Sequence, residues 1–241
     1  MEERKLPKWM ERRTAARKKI NETLDLADTQ IGDEKPFLSF EGKVKYFDTM
    51  GDWGFVCEAL LKQLESLEEL IIGFDLEWPV NYKLGQRQGR TALIQLCFSK
   101  EMCHLLHVFE WQKLPKVFVD IISHPKVKLI GVNIRCDLWK LGRDFDISVS
   151  SIVKNNTVEL SHLANKLFST NECWSLERLV LFVLKMRLAK PEDIRLSDWT
   201  QNPMTKYQLE YAANDVYASF ILYNRFKELE VKFNMKVELL R

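Results

Sequence analysis

Three stretches, far apart in the chain, carry side chains that could act together on a metal ion. Asp75 and Glu77 follow the apolar run Glu69-Leu70-Ile71-Ile72-Gly73-Phe74, which reads as a buried strand. Side chains alternate along a strand, so both acids face one side while Leu76 faces the other. Two carboxylates side by side in apolar surroundings repel each other and are driven to take up protons. A divalent cation removes that conflict, and an all-oxygen ligand set suits Mg²⁺ or Mn²⁺ better than zinc. Taken alone, D-x-E is more often what a solvated strand end presents.

The second stretch is Tyr211-Ala212-Ala213-Asn214-Asp215, inside Thr205 to Tyr223, whose apolar spacing is that of a long amphipathic helix. Tyr211 and Asp215 are four residues apart and share a helix face, with two alanines beside them that allow close packing on a sheet. The third is Val127-Lys128-Leu129-Ile130-Gly131-Val132-Asn133-Ile134-Arg135-Cys136-Asp137, a buried strand, a turn, and a helix with Asp137 in its first turns. Ligands of open α/β sheets gather just outside such strand ends. An acid there is also favoured by the helix dipole alone, by a few tenths of a kcal/mol.

In this order, the D-x-E strand, the aspartate after a strand and turn, and the Y-x-x-x-D helix resemble the motifs of the DEDD 3′→5′ exonucleases, in their tyrosine subclass. The resemblance runs from about Lys43 to about Lys227. Leu196-Ser197-Asp198-Trp199-Thr200-Gln201-Asn202-Pro203 looks like the segment that precedes the tyrosine helix in ribonuclease D relatives, and Trp174-Ser175-Leu176-Glu177-Arg178-Leu179 like the helix packed beneath it. Phe74-Asp75-Leu76-Glu77-Trp78-Pro79, Ile94-Gln95-Leu96-Cys97, Trp139-Lys140-Leu141 and Glu172-Cys173-Trp174-Ser175 are most similar to the Werner-type branch of the family. The chain departs from that branch at Asn133, where the branch has glycine, and throughout its N-terminal arm.

The resemblance implies an α/β, RNase H-like fold with a mixed five- or six-stranded sheet and helices on both faces. It implies hydrolysis with two metal ions (Mg²⁺ or Mn²⁺), about 4 Å apart in such sites, and release of 5′-nucleoside monophosphates from DNA 3′ ends, preferentially a recessed strand. Asp75 would hold both ions, Glu77 and Asp215 the one that carries the water, and Asp137 the other, while Tyr211 orients the water or takes its proton late. The Werner-type branch further implies fusion to a RecQ-type helicase in a longer chain, DNA end-binding repair proteins as partners, a role in DNA repair, and a nuclear location. An exoribonuclease of the ribonuclease D type would use the same acids, and an inactive nucleic-acid-binding module could keep the same fold.

The elements that must position these residues can be read coarsely. Strands are expected near 43–47, 70–75, 91–98, 103–109 and 127–132, and helices near 53–66, 114–122, 137–143, 158–168, 175–184 and 206–229. The short turn at Ser99 to Glu101 makes its two strands antiparallel; the others are expected to be parallel. Residues 1–40, basic and then acidic and poor in core-forming side chains, read as a partly helical or disordered arm, and residues 41–241 as one catalytic domain.

A content of 46% hydrophobic residues suffices for a substantial core, and a net charge of only +2 means that any nucleic-acid footprint must be local. No stretch has the length of a membrane span or the pattern of a signal peptide. Cys57, Cys97, Cys103, Cys136 and Cys173 form no C-x-x-C pair and are expected to be buried free thiols. His104 and His107, three apart in a strand, face opposite sides and are expected to be packing residues. Lys83, Arg87 and Arg90, in the loop that follows the D-x-E strand, are expected to hold phosphates, with Arg135, Lys140, Arg143 and Lys185 as further candidates. Trp139, two residues past Asp137, could stack on a terminal base, worth about 1–3 kcal/mol.

Overall fold

The computed structural model describes residues 35–80 and 88–233. A six-stranded sheet runs through it in the order β1-β4-β3-β2-β5-β6. Its strands are β1 (Lys43–Phe47), β2 (Leu70–Glu77), β3 (Leu93–Cys97), β4 (Met102–His107), β5 (Val127–Gly131) and β6 (Thr157–Glu159). β2 sits near the middle and carries the D-x-E motif. Every residue of β3 is buried, as a strand covered on both faces requires.

β3 and β4 pair antiparallel across the Ser99–Glu101 turn, as expected. β2 and β3 also pair antiparallel, against the expectation of parallel strands, because residues 78–92 form no crossover helix among those described. β1 on β4, β5 on β2 and β6 on β5 are parallel.

Helices α1 (Met50–Ser66), α2 (Lys116–Ser123), α3 (Ile134–Phe145) and α4 (Ser150–Asn155) cover one face, packing Trp53, Phe118, Leu138 and Ile152 against Ile72, Phe74, Leu76, Ile94 and Leu96. The other face is covered by α5 (Leu160–Phe168), α6 (Leu176–Leu179) and α8 (Lys206–Lys232), with α7 (Glu192–Arg195) packed on α8. The apolar alternation in β2 sorts its side chains between the two sides, which leaves Asp75 and Glu77 on the α8 face.

β6, α4 and α7 fall outside the expected elements. Elements this short have no period to detect, and Val158, expected to open a helix, lies in β6, with the helix beginning at Leu160 instead. The expected helix 175–184 is one α-helical turn continued as a π-helical turn, Val180–Leu184, and stopped by Lys185 at φ 59°.

α8 starts at a capping box in which Thr205 Oγ1 accepts from Gln208 N and the Gln208 side chain accepts from Thr205 N. It lies across β2 to β5, and glycine lets it come close. A Cβ on Gly73 would stand 2.5 Å from the Val216 carbonyl oxygen, a distance no real side chain keeps. Gly73 and Val216 adjoin the two acid motifs in sequence, so this contact sets how near Asp215 comes to Asp75.

Residues 36–40, assigned to the arm, are packed on the domain. Leu38 N donates to Arg187 O at 2.7 Å, Arg187 N to Pro36 O at 2.9 Å, and Phe40 N to Asn214 Oδ1 at 2.8 Å. Leu38 is buried. These bonds tie the end of the arm to α8 and to the segment at Arg187, while the rest of the arm up to residue 34 lies outside the described residues.

All five cysteines are free, but Cys136 and Cys173 are exposed rather than buried. Both lie on outward-facing positions where a small thiol meets no steric demand. His104 packs among Phe47, Trp53 and Phe98, and His107 reaches Trp199 O on the opposite face at 3.2 Å. No helix among the described residues is long and apolar enough to cross a membrane.

Candidate active site

Three elements converge beside the C-terminal ends of β2 and β5. β2 supplies Asp75 and Glu77, the first turn of α3 supplies Asp137, and α8 supplies Tyr211 and Asp215. Asp137 reaches the site from the helix layer on the far side of the sheet because α3 begins just past the end of β5. The turn into α3 passes through Asn133 at φ 60°, a left-handed conformation that asparagine tolerates better than other residues with a Cβ. Glu159, at the end of β6, holds this turn by accepting from Asn133 N at 3.0 Å.

Charge repulsion marks the site. Burial, with the nearby Asp215 carboxylate, pushes the Asp75 carboxyl up to about 7. Burial, then Asp75 and Asp215, push Glu77 well above the usual carboxylate range. Burial, then Asp75 and Glu159, push Asp137 up to about 8. Asp215 is raised by burial, against the pull of the Lys190 ammonium. Asp215, Glu77 and Asp137 thus each lie within electrostatic reach of Asp75, which stands at the centre of the group. Tyr211 is held far above the ordinary tyrosine value by burial, then by Asp215, Glu77 and Asp75, so its hydroxyl keeps its proton.

Two neighbours of the cluster carried no signal in the sequence. Lys190 forms an ion pair with Asp215 Oδ2, and its Nζ lies 3.3 Å from Tyr211 Oη. Its motif partners are 21 and 25 residues away, and no periodicity links them. Gln95 is buried on β3 directly opposite Asp75, an uncharged polar group beside the acids.

The segment before α8 anchors the tyrosine. Trp199 is buried with its ring 5.9 Å from that of Tyr211, and Gln208 Nε2 donates to Ser197 Oγ and to Asp198 O at 3.0 Å each. Beside the acids opens a cleft of about 620 Å³ lined by Asp75, Asn133, Ser175, Lys190, Arg195 and Ser219.

The donor set is chemically that of a hard-cation site: clustered carboxylates, one of them with a buried Oδ1 on Asp215 that has no hydrogen-bond partner. As arranged, no three His, Cys, Asp or Glu side chains among the described residues converge tightly enough to enclose an ion. The cation in contact with Asp215 is Lys190.

The expected phosphate contacts divide. Lys83 and Arg87 lie outside the described residues. Arg90 departs from the expectation: its guanidinium donates to Phe109 O at 2.9 Å and to Trp111 O, and lies 4.5 Å over the Phe145 ring. It is a packing clamp because its donors are already committed to backbone carbonyls. Lys140 is likewise buried, paired with Asp144 at 2.9 Å and donating to Gly89 O at 2.6 Å. Arg135 and Arg143 are exposed, and Lys185 Nζ sits 5.1 Å over the Phe182 ring. Trp139 is 45% exposed although it lies on a helix whose inner face is apolar, so its ring is not core.

The 3′-5′ exonuclease family matches residues 55–230. The chain is 37% identical over 227 residues to the bifunctional 3′-5′ exonuclease/ATP-dependent helicase WRN of Mus musculus, covering 94% of this chain and 16% of that protein. It is 34% identical over 208 residues to a 3′-5′ exonuclease of Drosophila melanogaster, covering 86% of this chain and 58% of the relative. The chain thus spans less than two thirds of either relative. Among solved structures, Escherichia coli RNase D, an exoribonuclease involved in structured RNA processing, superposes with a TM-score of 0.59 at 17% identity, covering 81% of this chain and 52% of that one. The mixed sheet with helices on both faces is the RNase H-like fold.

Proposed function

Since the chain belongs to the 3′-5′ exonuclease family, we propose that it removes nucleotides one at a time from DNA 3′ ends, with Asp75, Glu77, Asp137 and Asp215 as the metal-holding acids and Tyr211 beside them. One observation carries the reading. Four buried acids from three elements are gathered together, all held above the ordinary range by burial and three of them, Asp75, Glu77 and Asp137, by acidic neighbours as well. Such a cluster is costly unless a cation joins it, and perturbed carboxylates in a cleft are the mark of a working site.

Asp75, on the central strand and within reach of the other three acids, would serve two ions, Glu77 and Asp215 would hold one of them and Asp137 the other. When bound, Mg²⁺ or Mn²⁺ ions supply Lewis-acid activation of water and neutralise charge at the phosphate. Tyr211, whose hydroxyl burial and the neighbouring acids keep protonated, would orient the attacking water or a phosphate oxygen, or take the water's proton late. Trp199 and the alanines of α8 fix the height of that hydroxyl above the sheet. On this reading exposed Trp139 would stack on the terminal base, and Arg143, with Lys83 and Arg87 as the sequence suggests, would hold the backbone.

DNA is favoured over RNA by the balance of similarity: 37% identity to an exonuclease joined to a helicase, against 17% to an exoribonuclease that shares the fold. On the same reading the chain works in DNA repair in the nucleus, within or beside a RecQ-type helicase and with DNA end-binding proteins. The test is a gel of 5′-labelled recessed DNA, blunt duplex, single-stranded DNA and matched RNA in Mg²⁺, Mn²⁺ or EDTA, beside Asp75→Ala. A metal-dependent ladder on the recessed DNA strand, absent in the variant, is expected. A ladder on RNA alone would make the protein an exoribonuclease, and intact binding with no ladder would make it a binding module.

A further inference from the structure

We propose that Lys190 is a resident cation of the acid cluster, seated on Asp215 in the metal-free protein and competing with the divalent ion for that carboxylate. The inference rests on the metal-dependent reading above and concerns how the site loads. Lys190 pairs with Asp215 Oδ2, stands 3.3 Å from Tyr211 Oη, and lies 4.9 Å over the Tyr211 ring. It therefore contacts at once the acid and the tyrosine of the Y-x-x-x-D helix.

The two partners differ in freedom. Asp215 is fixed on α8 with its side chain 1% exposed, whereas the Lys190 side chain is 25% exposed and lies in the segment between the π-helical turn and α7. If the pair separates, the lysine is the one that moves, out into the cleft that it lines together with Arg195.

The pairing is also incomplete. Asp215 Oδ1 is buried with no hydrogen-bond partner, so the ammonium satisfies one oxygen and leaves the other open. A buried carboxylate left half-satisfied still favours a cation of higher charge that can share it with Asp75 and Glu77. Lysine suits such a temporary occupant. Its ammonium is a compact point charge on a flexible stem, while the guanidinium fork of arginine would engage both oxygens and hold on. While seated, Lys190 keeps Asp215 and Tyr211 in register when no ion is present; once displaced, its charge stays in the cleft where an anionic strand enters. It acts as a positioning residue.

The experiment is calorimetric titration of the full chain with Mn²⁺ alone, without nucleic acid, for the wild type, Lys190→Gln and Lys190→Arg, with melting of each in EDTA. Removing the competitor should tighten Mn²⁺ binding by Lys190→Gln on the order of tenfold and lower its melting temperature in EDTA, with Mn²⁺ restoring it. Lys190→Arg should melt like the wild type in EDTA and bind Mn²⁺ more weakly. A lysine that merely braces the fold would lower stability without tightening metal binding. Unchanged or weaker Mn²⁺ affinity in Lys190→Gln overturns the proposal, as does tighter binding by Lys190→Arg, which retains the charge should Lys190→Gln fail to fold. If the wild type and both variants bind no Mn²⁺, the metal-dependent reading fails instead, and this inference falls with it.

Discussion

Replacing Asp75 by asparagine should stabilise the metal-free protein while abolishing catalysis. In the fold the Asp75 carboxyl is raised from 3.8 to about 7, first by burial and then by Asp215. A carboxylate raised on folding holds a proton that the unfolded chain releases, so stability falls as pH rises from about 4 to about 7 and the whole penalty is present above that. At 1.36 kcal/mol for each tenfold change in proton affinity, the penalty is about 2 kcal/mol at pH 5 and about 4 kcal/mol at pH 8. The upper figure is a ceiling, because neighbouring acids can take up a proton in place of Asp75. Asparagine removes the charge but keeps an oxygen to accept from Leu76 N, now bonded to Asp75 Oδ1 at 2.8 Å.

Urea unfolding in EDTA at pH 5 and pH 8 measures both terms. Asp75→Asn should be the more stable protein at both, by a margin that widens with pH. Adding Mn²⁺ at a hundred times its dissociation constant should raise the wild type by about 2.7 kcal/mol and leave the variant nearly unmoved, closing most of the gap. A variant no more stable than the wild type at pH 8 in EDTA, or a margin independent of pH, would refute the electrostatic account of the cluster.

Tyr211→Phe should slow strand shortening strongly with Mn²⁺ affinity little changed, since the hydroxyl orients rather than ligates; single-turnover rates and titration calorimetry separate the two, and an unchanged rate removes the tyrosine from the reaction. Gly73→Ala should destabilise the fold by about 1–3 kcal/mol, the range for overpacking, and cut activity by pushing α8 off β2; a thermal melt and a rate at one metal concentration check it, and wild-type behaviour would show that the contact with Val216 is not limiting. Trp139→Ala should weaken binding of a 3′ end by about 1–3 kcal/mol without lowering the melting temperature, because its ring is not core; a loss of stability in place of affinity would make it a packing residue.

The acid motifs were legible in the sequence because each obeys a local rule. Asp75 and Glu77 fall on one face by strand alternation, Tyr211 and Asp215 on one face by helical period, and Asp137 follows a strand end. The long, strongly patterned elements β2, β5 and α8 were legible for the same reason. What escaped was short or non-local. β6 has three residues and no period; the antiparallel β2–β3 pair depends on a connection without a helix. Arg90 and Lys140 look like free cations in sequence and become clamps only because backbone carbonyls and Asp144 converge on them.

The sequence by itself determined the chemistry available: which side chains exist, which share a face, and that an apolar strand carries two acids. Tertiary structure alone decided their mutual distance. Gly73 admits α8 close to β2 and so brings Asp215 against Asp75, and the chain between the π-helical turn and α7 carries Lys190 onto Asp215. Electrostatic coupling depends on separation in space and on local burial, and neither follows from spacing along the chain once partners lie more than a few turns apart.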